Sequence, residues 1–261
     1  MINCYWEGYL DSEITLNNCP DSADIITISF ISPDDNSSIA TDYLCCKYDV
    51  ETIKSWIIEA KLNNPKVKIV ISIVDNISTN WSEINLIEFA KRLKTFLDVW
   101  KLDGIDIDAE SNMEDSKYKE TFINLIKTLN SIIEFKKHNK ILSYTCHTGN
   151  INNDKAILNK TKQYFNYINL IAYYDNIEEY DSLYNTYKKF YNSNNIFICI
   201  KAGFKKDKNK NKTPNEMIKH LLNFNKNIKK GILFFSINRD YSKFTGNSAY
   251  TWFNIINSCY E

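Results

Sequence analysis

The chain has 261 residues, 44% hydrophobic and 25% charged, an ordinary globular composition that excludes a disordered or fibrous protein. Lys plus Arg and Asp plus Glu each total 32, which argues against nucleic acid as the main partner, and six Gly with four Pro are few for an all-β sandwich. No apolar run reaches the roughly 18 residues of a membrane span, so a soluble protein without a membrane partner is expected.

The start, MINCYWEGYLDSEITL, lacks the basic-then-apolar order of a secretory signal. If Met1 is the natural start, the expectation is a cytoplasmic protein or one released without such a signal. Seven Cys (4, 19, 45, 46, 146, 199, 259) form no C-x-x-C pair, which predicts reduced thiols and neither a disulfide framework nor a zinc site.

In chain order, the apolar runs predict strands over 3–6, 24–31, 67–73, 104–108, 141–146, 167–173, 196–200 and 231–236. Each is short, mostly rich in Ile, Val, Phe or Tyr, and bounded by polar residues, as strands of buried parallel sheets are. Helical spacing of Ile53, Trp56, Ile57 and Ala60 predicts a helix over 51–62. Ile84, Ile87, Phe89, Ala90, Leu93, Phe96, Leu97 and Trp100 predict one over 84–100. Further helices are expected over 116–135, 180–191, 214–224 and 249–258, the 214–224 helix opening with a Thr213 cap before a first-turn Pro214. Eight strands, nearly all separated by helices, predict an α/β fold, a single (β/α)8 TIM barrel over residues 1–261. A doubly wound nucleotide fold fits less well, because no Gly-rich phosphate loop follows any strand.

The informative stretch is KLDGIDIDAES, residues 101–111. Asp106, Asp108 and Glu110 fall at period two and share one strand face, while Ile105, Ile107 and Ala109 share the other. With helices covering the apolar face, the carboxylates point into the barrel. Burial and mutual repulsion there oppose ionisation and drive a proton onto the group. A protonated carboxylic acid beside an ionised one is what acid catalysis of glycoside cleavage requires, and Glu110 comes last, toward the C-terminal mouth where barrel sites form. Metal binding and a structural role compete with catalysis for this spacing. A calcium loop beginning at Asp106 would need Gly where Ser111 stands. An edge strand would not carry Ile on its back face.

LDGIDIDAE resembles the D-G-x-D-x-D-x-E signature of glycoside hydrolase family 18, the chitinases and endo-β-N-acetylglucosaminidases, and FAKRLKTFLDVWK resembles the helix before it. NCYWEGY, VKIVIS, YINLIAY and GILFFSINRD resemble that family's first, third, sixth and eighth strands. The resemblance implies a retaining hydrolase of β-1,4-linked N-acetylglucosamine chains that uses the substrate acetamide as nucleophile. Glu110 would be the general acid and Asp108 would orient the acetamide. Asp106 would share a proton with Asp108, and Tyr173 would hydrogen-bond the acetamide oxygen. Asp103 would support the turn and inner network, and Ser72 would add structural support. No cofactor or metal is implied, the partner is an N-acetylglucosamine-containing oligo- or polysaccharide, and a monomer is expected. An N-glycan endoglycosidase and a non-catalytic lectin are the alternative readings, although such lectins usually lose the acid.

Several positions depart from the family pattern. Ser72-Ile73-Val74-Asp75 replaces Ser-x-Gly-Gly, Ala109 stands where Trp is frequent, and Tyr173 is followed by Tyr174 before Asp175. Asp175 or Asn176 is expected to take the polar role there. Phe235, or Phe234 with a shifted register, replaces the sugar-stacking Trp. The short 201–213 connection, with its KKDKNKNK run read as a solvated loop, leaves no room for the α+β insertion of many relatives and implies an open groove suited to internal cleavage. Tyr144 and His147 either line that groove or serve as a core tyrosine and a loop histidine. Trp6 either stacks on a sugar or packs the barrel.

Overall fold

The computed structural model describes residues 1–74, 80–109, 116–147, 149, 151–171, 179–202 and 231–259, with no side chains for 116–118. Eight parallel strands close a barrel. The first two are β1 (Ile2–Glu7) and β2 (Ile25–Pro33), the latter carrying a short antiparallel partner, β3 (Ile39–Ala40). Then come β4 (Lys68–Val74), β5 (Gly104–Asp108), β6 (Ile141–His147), β7 (Tyr167–Ile171), β8 (Ile196–Lys201) and β9 (Ile232–Phe235). Each barrel strand pairs with the next, and β1 closes the ring by pairing with both β2 and β9.

Helices α1 (Val50–Asn63), α2 (Leu86–Val99), α3 (Ser116–Ile133), α4 (Ile151–Thr161), α5 (Tyr180–Tyr187), α6 (Ser242–Thr245) and α7 (Thr251–Ser258) are described around the barrel. All eight expected barrel strands are present. The expected helix over 214–224 and the Lys-rich run before it lie outside the described residues. Helix α4, not anticipated, buries only Asp154, Ile157, Leu158 and Thr161 from the sequence INNDKAILNKT. With only two fully buried apolar residues and Ile151 partly buried at its start, it has too weak a stripe to be read from periodicity.

Strand alternation divides the molecule into two cores. Outward residues such as Ile2, Cys4 and Trp6 of β1, Ile69, Ile71 and Ile73 of β4, and Ile105 and Ile107 of β5 join Ile53 and Ile57 of α1, Phe89, Leu93 and Leu97 of α2, and Leu125 and Leu129 of α3 in one apolar shell. Each such side chain contributes roughly 1.5–3 kcal/mol by leaving water, so this shell is the main source of stability. Inside the barrel, Ile25, Val70, Tyr167 and Phe197 fill the end where the strands begin, with the Tyr167 and Phe197 rings stacked at 4.5 Å and 6°. Toward the strand ends, Tyr5, Phe30, Ile171, Cys199 and Leu233 make a second apolar layer, with Val74 and Phe235 packed against it. Buried between these layers is a polar belt of Asn3, Thr27, Ser72, Asp106, Ser143, Thr145 and Asn169. Gly104 begins β5 where that strand presses on β6, and a Cβ there would stand 2.1 Å from the Ile141 carbonyl oxygen.

Candidate active site

β5 carries Asp106 and Asp108 on its inner face, as the period-two spacing requires. Asp106 is fully buried and accepts hydrogen bonds from five side chains on four other strands. Tyr5 Oη donates to Oδ2 at 2.5 Å and Ser72 Oγ at 2.9 Å. Ser143 Oγ donates to Oδ1 at 2.6 Å, Asn169 Nδ2 at 3.2 Å, and Thr145 Oγ1 reaches both oxygens at 3.1 Å. Burial pushes the Asp106 carboxyl above its ordinary value, and the bonds from Ser143, Tyr5, Ser72 and Thr145 pull against that without cancelling it. Burial, with Asp106 and Asp108 nearby, pushes the Tyr5 hydroxyl well up, so Tyr5 stays a donor.

Asp108 lies two residues nearer the mouth and is 2% exposed. Its Oδ1 stands 2.9 Å from His147 Nε2, at the end of the neighbouring strand β6. Ala109 turns to the outer shell and is buried there. Glu110, Tyr173 and Asp175 lie outside the described residues, as do Asp75 and Asn176.

At the rim, β1 ends in Glu7, a fully buried carboxylate. Arg239, in the loop after β9, clamps it with Nε to Oε2 at 2.5 Å and Nη2 to Oε1 at 2.6 Å. Ser236 and Tyr9 hydroxyls also donate to Glu7, and the Asn238 amide bridges the Glu7 backbone at 2.9 and 3.1 Å. Burial opposes the Arg239 charge, but the Glu7 bonds and charge win and raise its pKa further. Phe235 sits half-buried beside this clamp, 5.6 Å from the Tyr5 ring, with the Arg239 guanidinium 5.9 Å and the Lys201 ammonium 5.7 Å from its centroid.

These positions decide several open readings. Phe235 faces the lumen and Phe234 the outer shell, which settles the register on β9. Val74 packs against the inner apolar layer, adding bulk to the mouth. Tyr144 is not a groove residue. It points outward from β6, is fully buried, and donates its hydroxyl to Asp154 of α4 at 2.9 Å. Trp6 is likewise an outer-shell residue, fully buried, with its indole N–H on the Ile14 carbonyl and its ring against Tyr48 and Trp56. Both fall on the outward register of their strands, so neither meets the lumen.

Ser72 joins the Asp106 network as a donor. Asp103 supports the turn but bonds elsewhere than the inner network, holding the Ile69 amide at 2.9 Å and the Lys61 and Lys68 ammonium groups at 2.6 and 3.4 Å. The sequence reading missed Tyr5, Ser143, Thr145, Asn169, Glu7 and Arg239. A signal existed for some of them: Ser143, Thr145 and His147 alternate on β6 in step with Asp106 and Asp108 on β5.

A closed (β/α)8 barrel with stacked carboxylates on one inner strand and an aromatic at the mouth defines a carbohydrate-hydrolase type of site. The family model of the glycosyl hydrolases family 18 matches residues 1–250, and the chain belongs to that family as a glycoside hydrolase. No curated protein matches it by sequence. Among solved structures it is similar to the catalytic domain of a family 18 chitinase from the fern Peteris ryukyuensis, with 15% identity, TM-score 0.76, and 99% of this chain and 98% of that one covered. It is also similar to a chitinase from Rhizomucor miehei, at 14% identity, TM-score 0.72 and 99% coverage of both chains. A third is an endo-β-N-acetylglucosaminidase from Cordyceps militaris, at 16% identity and TM-score 0.74, covering 100% of this chain and 90% of that one. At such identities the likeness concerns the fold.

Proposed function

We propose that this protein cleaves β-1,4-linked N-acetylglucosamine chains internally, with retention, by substrate-assisted catalysis. The observation that carries this reading is the stacked pair on β5, Asp106 locked by five donors and Asp108 above it, in the strand that runs into Glu110.

In this mechanism Glu110 protonates the leaving glycosidic oxygen. Asp108 orients the 2-acetamido group, whose carbonyl oxygen attacks the anomeric carbon, and Tyr173 hydrogen-bonds that oxygen. The fully buried Asp106, with its raised pKa, shares a proton with Asp108, so charge on the pair can follow the charge developing on the sugar. Phe235 offers a ring face for stacking at the mouth. Asp175 or Asn176 takes the polar role that follows Tyr173 in the sequence. The enzyme acts as a monomer and without a cofactor.

The test is hydrolysis of a fluorogenic chitotriose by the wild type beside Glu110→Gln. The expected result is turnover that falls by roughly 10²–10⁴-fold in the variant, the usual share of a general acid. Full activity in Glu110→Gln would refute the assignment. Turnover of a glycoprotein alone would move the activity to the chitobiose core of N-glycans, and tight oligosaccharide binding without turnover would make the chain a lectin.

A further inference from the structure

Asp108 and His147 end two neighbouring strands, and Nε2 lies 2.9 Å from Oδ1 with the Asp108 side chain 3% and the His147 side chain 16% exposed. The separation is set by strand register, since Asp108 stands opposite Thr145 on β6 and His147 opposite Ile171 on β7. The far side of β6 is anchored too. Asp154 of α4 accepts the hydroxyls of Tyr144 at 2.9 Å and Tyr187 at 2.5 Å, together with a backbone hydrogen bond from His147. The imidazole therefore stands on a strand end fastened from behind, and not on a loop.

An aspartate side chain turns about two torsions, and a hydrogen bond from a fixed donor narrows the rotamers it adopts. A fixed donor one strand away selects one of them before substrate arrives, which is the positional economy that catalysis rewards. We infer that His147 is a positioning residue for Asp108: through Nε2 it holds that carboxylate turned toward β6 while the carboxylate orients the substrate acetamide, and the bond is kept through the reaction. The inference rests on Asp108 being the acetamide-orienting group. Ionisable groups that meet the imidazole include Asp108 from β5, at 2.9 Å, and Asp154 from α4, whose carboxyl its charge pulls down. Asn169 and Ile171 on β7 carry no charge.

Two measurements test it. In the first, histidine ring protons are titrated by NMR in the wild type and in Asp108→Asn, with His138 and His220 as internal references. Losing a carboxylate partner lowers an imidazole pKa, so one histidine is expected to drop by about half a unit or more while the other two stay. Three unchanged titrations overturn the pairing, and this arm needs no substrate.

In the second, His147→Leu and His147→Gln are assayed on whichever N-acetylglucosamine oligosaccharide the wild type cleaves. Leu removes the donor, and kcat is expected to fall by about tenfold or more at nearly constant KM, the pattern of an interaction used in the transition state. The acid limb of kcat/KM should move to higher pH, because a carboxylate stripped of its donor protonates more readily. Gln, with an N–H at similar reach, should restore most of kcat and return the limb. A Leu variant with wild-type kcat and an unmoved limb overturns the positioning role. A wild type that cleaves no such oligosaccharide refutes the proposed function instead, and the titration alone then decides the His147–Asp108 pair.

Discussion

Asp154 shows how one residue can escape a sequence reading and still govern behaviour. Nothing in INNDKAILNKT marks it as different from a surface aspartate, yet the fold buries it behind β6 against two tyrosines. Burial pushes its carboxyl up to about 7, with Tyr187, Tyr144 and His147 pulling it down. Because the folded value exceeds the unfolded one, the stabilising contribution is complete below about pH 4 and is lost as pH rises through 7. Unfolding by urea at pH 5 and pH 8 should show this loss in the wild type. Asp154→Asn should lose less over the same interval, by roughly 2–3 kcal/mol for two units of titration. Asp240, pushed up to about 6 by burial at the start of α7, adds the same slope to both proteins, so their difference isolates Asp154. Equal slopes in both proteins would refute the assignment. His147 is the companion case: it was open between groove and loop until the register of β6 brought it to Asp108.

At the scale of the element, β5 was legible almost in full. Its period-two carboxylates and its Ile backing define one strand with one polar face, and that face is where the structure puts Asp106 and Asp108. Gly104 at its start has a specific reason. A methyl group there would meet the Ile141 carbonyl at 2.1 Å and the Ile141 amide at 2.7 Å, both backbone atoms that cannot yield without parting β5 from β6. Gly104→Ala should therefore cost about 2–3 kcal/mol, the upper range for overpacking, measured as a fall in thermal or urea midpoint. Gly149→Ala, with nothing within 4 Å, should leave the midpoint within about 0.5 kcal/mol and serves as the control. Helix α4 was illegible for the opposite reason: its buried positions are two apolar residues, a carboxyl and a threonine. Such a face is recognisable only once the strand it covers is in place.

At the scale of the whole molecule, the barrel closes between its first and last strands, and the Glu7–Arg239 clamp ties them across 232 residues of chain. Removing Arg239 takes the counter-charge from the fully buried Glu7 carboxylate, so Arg239→Met should cost about 3–5 kcal/mol, and Glu7→Gln should be destabilising too. The double variant should cost less than the sum, by about 1 kcal/mol or more, which a double-mutant cycle in urea measures. Strict additivity would mean that the two groups act independently. The sequence by itself determined the strand count, the barrel and the acidic strand, because alternation and helical spacing are local and their periods survive in the linear order. The donors around Asp106 come from strands begun at residues 2, 68, 141 and 167. Only closure of the barrel decided that Tyr5, Ser72, Ser143, Thr145 and Asn169 converge on one carboxylate, and that Tyr144 and Trp6 face away from it. Such convergence depends on register and on the stagger of closed strands, and no local period encodes either.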